Sequence, residues 1–436
     1  MFAYRSLRVA LLGAGTVGSQ VARLLIDEAD ELANRVGARL ELVGIAVRDP
    51  DAPRDTPLPQ ELFTTDAESL ILGADIVIEL MGGIEPARTF VLQALGSGAD
   101  VVTGNKALLA THGPELAEAA EQVGAQLAYE AAVAGAIPII RPLRESLAGD
   151  RVERILAIVN GTTNFILDRM DSTGTSLENA LATATELGYA EADPTADIGG
   201  YDAAQKAAIL ASLAFHTTVP LASVHREGIT EISAAEVAAA ADAGYVVKLL
   251  AICGRMTDPD TGEDAVSVRV HPALIPRTHP LASVRGGNNA VFVEAEAAGP
   301  LMFYGAGAGG VQTASAVLGD LVAVARRHVV GGPGLGDSAH AGLPVLDIGK
   351  VTTRYAISLD VDDQPGVLAA VAQTFARHGV SVEQLQQTTS DESGRATLVV
   401  GTHTARESAL AETVAELATI PAVASVASVL RVEGAA

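Results

Sequence analysis

Residues 8–18 read Arg-Val-Ala-Leu-Leu-Gly-Ala-Gly-Thr-Val-Gly. A short apolar run of strand length, Arg8–Leu12, meets Gly13-x-Gly15-x-x-Gly18. A helical pattern follows through Val21, Leu24, Leu25 and Leu32. Strand, glycine turn and helix in that order are the context a dinucleotide fingerprint requires. Gly13 permits the tight turn. Gly15 lets a pyrophosphate approach backbone at the helix N-terminus. Gly18 allows close helix–strand packing.

The pattern repeats outward. Leu40–Val47 reads as a second strand and Asp75–Leu80 as a third, the latter ending in Met81–Gly82–Gly83. A helix is expected over roughly 86–96. The strand Val101–Thr103 then stops at Gly104–Asn105–Lys106. Alternating short strands and helices predict an α/β fold with a Rossmann-type, doubly wound parallel sheet. Ligands sit at the C-terminal ends of such strands, which makes Met81, Gly82, Gly83 and Lys106 candidate cofactor contacts beside Gly13, Gly15, Thr16, Val17 and Gly18. An acid at the end of the second strand would bind the ribose of NAD, but here Arg48 precedes Asp49. Arg48 suits a 2′-phosphate, so NADP is the expected preference, with NAD left open by Asp49.

The chain has 436 residues, enough for two or three domains, and carries a net charge of −24. That sign disfavours nucleic acid, which needs a basic stripe. Cys253 is the only cysteine, so neither an intrachain disulfide nor a cysteine-based metal site is possible. No run of eighteen apolar residues suggests a membrane span, and the N-terminal stretch reads as a strand rather than a leader. A cytoplasmic protein is expected.

A second region opens with the strand Ile155–Val159 and the turn Asn160–Gly161–Thr162–Thr163–Asn164. Ala-rich helices are then expected to about Gly254, and strands from Val266 to Tyr304. Within this region Glu191, Asp193, Asp197 and Asp202 lie just ahead of Lys206. Asp202 and Lys206 are four apart, on one helical face, and Lys206 shares that face with Ile209, Leu210 and Leu213. One reading is an acidic loop capping a helix. The other is a buried amine held by carboxylates and used for proton transfer. Burial lowers a lysine pKa and neighbouring carboxylates raise it, so spacing alone leaves the balance open. The glycine-rich loop 305–310 precedes a helix from Thr313 to about Val329, and the composition of 331–336 is that of a linker.

After about residue 349 the pattern is strand, helix, strand, strand, helix, strand, the ferredoxin-like layout. A turn at Gln364–Pro365–Gly366 joins its first strand to a helix over 367–378. Gly366 frees backbone N–H groups at that helix N-terminus for a carboxylate, which makes Asp363, Gly366 and Val367 candidate effector contacts.

Ala184-x₃-Gly188–Tyr189–Ala190-x₂-Asp193–Pro194-x₂-Asp197–Ile198-x-Gly200-x-Asp202-x₃-Lys206 resembles the signature of the homoserine dehydrogenases at every position. The likeness continues in the glycine fingerprint, in Gly104–Asn105–Lys106–Ala107–Leu108, in the Asn160–Asn164 turn, in Arg226–Glu227–Gly228–Ile229 and in the loop 305–310. It implies NAD(P)-dependent interconversion of L-homoserine and L-aspartate 4-semialdehyde. It implies Lys206, Lys106 and Asp202 as the catalytic groups, and Glu191, Asp197, Thr162 and Gly161 at the substrate. Gly309 would join the cofactor contacts. Backbone oxygens of Glu130, Val133, Gly135 and Ile137 would hold a monovalent cation, Na⁺ or K⁺. The C-terminal unit resembles an ACT domain, which implies L-threonine as effector and a homodimer or homotetramer. The expected division is a cofactor domain 1–142 completed by the helix 311–330, an α+β substrate and dimerisation domain 143–310, a linker 331–349 and the ACT unit 350–436. A different amino-acid dehydrogenase on the same cofactor fold, or a silent cofactor-binding sensor, are the rival readings.

Overall fold

The computed structural model describes residues 5–332, 336, 338–390 and 394–434. Of the expected linker, residues 333–335 and 337 lie outside the described residues.

Six parallel strands form the first sheet: β1 Arg5–Leu12, β2 Ala38–Ala46, β3 Phe63–Thr64, β4 Ile76–Glu79, β5 Asp100–Thr103 and β6 Leu127–Ala128, in the order β3-β2-β1-β4-β5-β6. The order reverses between β1 and β4, and the carboxyl edge there is where a doubly wound sheet opens a crevice. The helical pattern after β1 is two helices, Thr16–Asp27 and Ala29–Val36, broken at Glu28. The helix Gly310–Val330 returns from far along the chain and packs on Thr16–Asp27. Its Ala314, Val317, Leu321 and Ala325 are buried with Leu7, Val9 and Leu11 of β1. Each such Leu or Val burial contributes about 1.5–3 kcal/mol, which is why the face of β1 recruits a helix so distant in sequence.

The second sheet is mixed. It runs Gly299–Ala306, Asn288–Ala295, Val152–Ile158, Tyr245–Thr257, Asp264–Pro276, Val423–Val432, Tyr355–Asp362, Arg395–Thr402, Val382–Ser390. Tyr245–Thr257 corrects the expectation of helices up to Gly254. Its run Tyr-Val-Val-Lys-Leu-Leu-Ala-Ile-Cys is buried on both faces, and a continuous apolar run does not distinguish a core strand from a buried helix. The last four strands of the order and two helices, Val367–Arg377 and Glu407–Leu417, make the ferredoxin-like ACT unit around Ile357, Leu359, Phe375, Leu398 and Leu410. Alternation within a strand cannot reveal that this unit shares a sheet with the preceding one. Ala273 and Leu274 pair with Arg431 and Val432 across the junction. Among the described residues no helix is long and apolar enough to cross a membrane.

Candidate active site

The glycine fingerprint leaves no slack. A Cβ on Gly13 (φ +98°) would lie 2.7 Å from the Leu80 carbonyl oxygen, and one on Gly18 would lie 2.1 Å from that of Gly13. Gly15, at the uncapped start of Thr16–Asp27, faces open space. Gly13 and Gly15 line a cleft of about 730 Å³ with Arg48, Asp49, Met81 and Gly82. Arg48 is exposed there and makes no ion pair or hydrogen bond among the described residues. The nearby Arg54 is engaged by the backbone carbonyls of Asp49, Pro50 and Ala52.

A second cleft of about 700 Å³ meets the first at Gly82. Its floor is polar. Lys206, on the helix Tyr201–Phe215, is 9% exposed and donates to the Val159 carbonyl at 2.6 Å and to Asp202 Oδ2 at 2.7 Å. Asp202 Oδ1 faces the Lys106 ammonium in a second ion pair. Lys106 opens the helix Lys106–Val123, where Asn105 caps the N-terminus by accepting from the Leu108 N–H. One carboxylate therefore bridges two amines brought from different units.

Burial lowers the Lys206 pKa, and Lys106 adds to that effect against the attraction of Asp202. For Asp202 burial acts in the opposite sense, yet the two ammoniums hold it well below the usual carboxylate range. The balance left open by spacing is thus a lowered lysine beside a fully ionised aspartate.

Asn160 is a residue the sequence reading passed over as a site group. Its Nδ2 donates to Asp197 Oδ1 at 2.7 Å and to Asp202 Oδ2 at 3.0 Å, while its Oδ1 accepts from the Thr163 N–H. The signal was its position before Gly161–Thr162–Thr163, a helix N-cap aimed at the acidic segment. Glu79 was also missed. Buried at the end of β4, it accepts from the Thr103 hydroxyl at 2.6 Å and the Met81 N–H at 2.8 Å, and burial raises its pKa. Asn105 Nδ2 donates to the Gly83 carbonyl at 2.6 Å, so the loop between the clefts is braced from below.

The other expected residues are placed as follows. Thr162 lines the second cleft with its hydroxyl donating to the Tyr189 carbonyl, and Gly161 has no room for a Cβ against Gly287. Asp197 lines the cleft; Glu191 is exposed and lies outside its lining. Gly309 (φ +126°) precedes Gly310, which abuts Thr16. The carboxylate of Glu130 is consumed by the N–H groups of Ile139, Ile140 and Arg141. Val133 and Gly135 are buried, and their carbonyls accept no hydrogen bond among the described residues. In the ACT unit, Gly366 (φ +96°) caps the helix Val367–Arg377 without side-chain help, and Asp363 accepts from Gln387.

The loop 286–288 roofs the second cleft and is held by a buried lysine. Lys248 Nζ donates to Asn164 Oδ1 at 2.8 Å and to the Val284 carbonyl at 2.7 Å, and Asn164 Nδ2 donates to Gly286 and Asn288 carbonyls. Burial pushes Lys248 down to about 8, against Asp168 and Asp171 and with Arg285 and Arg277 nearby. Between that value and the ordinary 10.5 the unfolded chain binds more protons than the folded one, so stability rises with pH through this window. Wild type is expected to gain roughly 3 kcal/mol over Lys248→Met between pH 8 and 10.5. Denaturant melts of both proteins across that range check it; parallel pH curves refute it.

Three family models match the chain: homoserine dehydrogenase NAD binding domain over residues 13–130, homoserine dehydrogenase over 138–322 and ACT domain over 355–422. The homoserine dehydrogenase of Corynebacterium glutamicum is 56% identical over 427 residues, covering 98% of this chain and 95% of its own. That of Mycobacterium tuberculosis is 55% identical, covering 98% and 97%. The crystal structure of a homoserine dehydrogenase from Thiobacillus denitrificans superposes with TM-score 0.90 at 37% identity over 98% of both chains. A hyperthermophilic archaeal homoserine dehydrogenase in complex with NADPH superposes with TM-score 0.62 at 27% identity, covering 76% of this chain and 99% of that one. With two clefts that meet at Gly82, the second floored by an Asp202 shared by two lysines, and with relatives this close over nearly its full length, the chain is an oxidoreductase that belongs to the homoserine dehydrogenase family.

Proposed function

We propose that the enzyme interconverts L-homoserine and L-aspartate 4-semialdehyde, in the biosynthesis of threonine, methionine and isoleucine, with Lys206 as acid/base. The observation that carries the reading is the Lys206–Asp202–Lys106 bridge in the floor of the second cleft. When bound, the nicotinamide supplies the hydride acceptor or donor. The chain supplies positioning and a proton path. Lys206 takes the alcohol proton in oxidation and returns it to the carbonyl oxygen in reduction. Lys106, 42% exposed at its side chain, reaches toward the substrate alcohol while Asp202 anchors it. Asp197, in the cleft lining, provides a carboxylate for the substrate ammonium. The division into a cofactor unit, a substrate unit and an ACT unit goes with this reading.

NADP is the preferred cofactor in this proposal. Arg48 is exposed on the first cleft with its guanidinium uncommitted. Arg48→Ala is expected to raise KM for NADP severalfold and KM for NAD little. Equal effects on both cofactors, in initial-rate measurements, would remove Arg48 as the reader of the 2′-phosphate. The buried Val133 and Gly135 carbonyls fit a monovalent cation, which would satisfy oxygens that lack donors among the described residues.

The ACT unit is proposed to bind L-threonine at Asp363, Gly366 and Val367 and to inhibit turnover. The strand Val382–Ser390 ends its sheet with an open edge, which supports pairing between subunits in a homodimer or homotetramer. The decisive experiment is oxidation of L-homoserine with NADP and with NAD, each with and without L-threonine. Removal of residues 350–436 is expected to abolish inhibition by threonine. Inhibition that persists in the truncated protein excludes the ACT unit as the sensor.

A further inference from the structure

Arg226–Glu227–Gly228–Ile229 is a motif the catalytic reading leaves without a role. It lies against the connection Ile198–Gly199–Gly200–Tyr201, which joins Asp197 to Asp202. The fit is close. A Cβ on Gly228 would sit 2.2 Å from the Ile198 carbonyl oxygen and 2.8 Å from Gly199 Cα. The Ile229 N–H donates to Ile198 at 2.8 Å. Arg226 donates to the Gly199 carbonyl, and its guanidinium stacks 3.5 Å over the Tyr201 ring. Both cleft carboxylates therefore flank a segment whose position residues 226–229 set.

The motif is in turn held from the C-terminal unit. Arg431, on the strand Val423–Val432, grips the Glu227 carboxylate with two parallel hydrogen bonds of 2.8 Å. Its side chain is 12% exposed. The same guanidinium pairs with Glu407, whose Oε1 accepts from the Tyr355 hydroxyl at 2.6 Å. His225 adds a 2.7 Å contact to Glu227, and the Glu227 N–H donates to the Val270 carbonyl. Burial opposes ionisation of Glu227, but His225 and Arg431 hold it well below the usual carboxylate range. Two-pronged pairing fixes direction as well as distance, which a single contact does not.

We propose that Arg431 is a positioning residue for catalysis: through Glu227 and the connection Ile198–Tyr201, the C-terminal unit sets the placement of Asp197 and Asp202. The proposal deepens the reading above and rests on Asp197 and Asp202 serving the reaction. It gives the ACT unit a route to the cleft: a shift of Val423–Val432 against Asp264–Pro276 moves Arg431 and hence both carboxylates. Couplings of this kind between sites typically amount to 5–150-fold.

The test uses the full-length enzyme. Arg431→Met and Glu227→Gln are each expected to lower kcat/KM for L-homoserine about 5–100-fold while KM for NADP stays within twofold. The double variant should cost no more than either single one, because both remove the same link. Arg431→Lys keeps the charge and loses the two-pronged grip, and is expected to recover activity in part. Amide hydrogen exchange should quicken at residues 198–201 and 226–229 in Arg431→Met. If Arg431→Met does not fold, Glu227→Gln carries the measurement, because it leaves Arg431 paired with the buried Glu407. Folded variants with kcat/KM for homoserine within twofold of wild type overturn the proposal, as does faster exchange confined to residues 355–432. Failure of the underlying reading shows separately: Asp202→Asn would then turn over homoserine like wild type, whatever Arg431→Met does.

Discussion

Lys206→Ala is expected to lower kcat for L-homoserine oxidation by at least about 10²-fold with an unchanged far-UV circular dichroism spectrum. The size follows from the site. An ammonium has three protons, and two of those on Lys206 are committed, to Val159 and Asp202. The third is available to an oxygen in the cleft that Lys206 lines. Lys106 is not an equal substitute, being half exposed and already paired with Asp202. The sign of the pH dependence follows from the lowered Lys206 pKa. With Lys206 as the proposed base, oxidation needs the neutral amine, so kcat/KM in that direction is expected to rise with pH through the Lys206 pKa. Carbonyl reduction needs the ammonium and falls over the same range. Lys206→Met, which fills the buried space better than Ala, should lose both limbs. Turnover near that of wild type in either variant would end the acid/base assignment.

Asp202→Asn is expected to cut kcat by a comparable factor and to move the pH profile. The substitution conserves shape but removes the charge that two lysines share. Burial and Lys106 then act on Lys206 with Asp197 left in opposition, and its pKa falls further. The rising limb of the oxidation profile therefore shifts to lower pH, while the rate on the plateau drops because Lys206 loses its orienting partner. Breaking a buried pair typically costs about 3–5 kcal/mol, softened here because Lys206 can shed its proton. The measurement is kcat/KM for homoserine from pH 6 to 10 in both proteins. A limb that stays where it is in wild type would show that Asp202 does not tune Lys206.

Much of this arrangement was legible before any coordinates. Gly13, Gly15 and Gly18 announce a strand–turn–helix because the steric demands fall within six residues. The i,i+4 spacing of Asp202 and Lys206 is likewise a local fact. The ferredoxin-like order after residue 349 follows from period-two alternation and turn residues. Tyr245–Thr257 was misread because its neighbours on both faces come from elsewhere in the chain, which erases alternation. Asn160 was legible only as a helix N-cap and Glu79 not as a site group, because the partners that draw them into the site lie 24 to 42 residues away.

By itself, then, the sequence determined what short-range physics determines: the glycine turn, the helix that carries Asp202 and Lys206, and the chemistry these side chains offer. The tertiary structure decided the rest. Burial, a property of the whole packed unit, set the direction of the Lys206 pKa. The meeting of two sheets brought Lys106 to Asp202. The grip of Arg431 on Glu227, 204 residues apart, exists only because Val423–Val432 joins the sheet beside Asp264–Pro276. No periodicity encodes such a contact. It depends on register and closure over the entire fold.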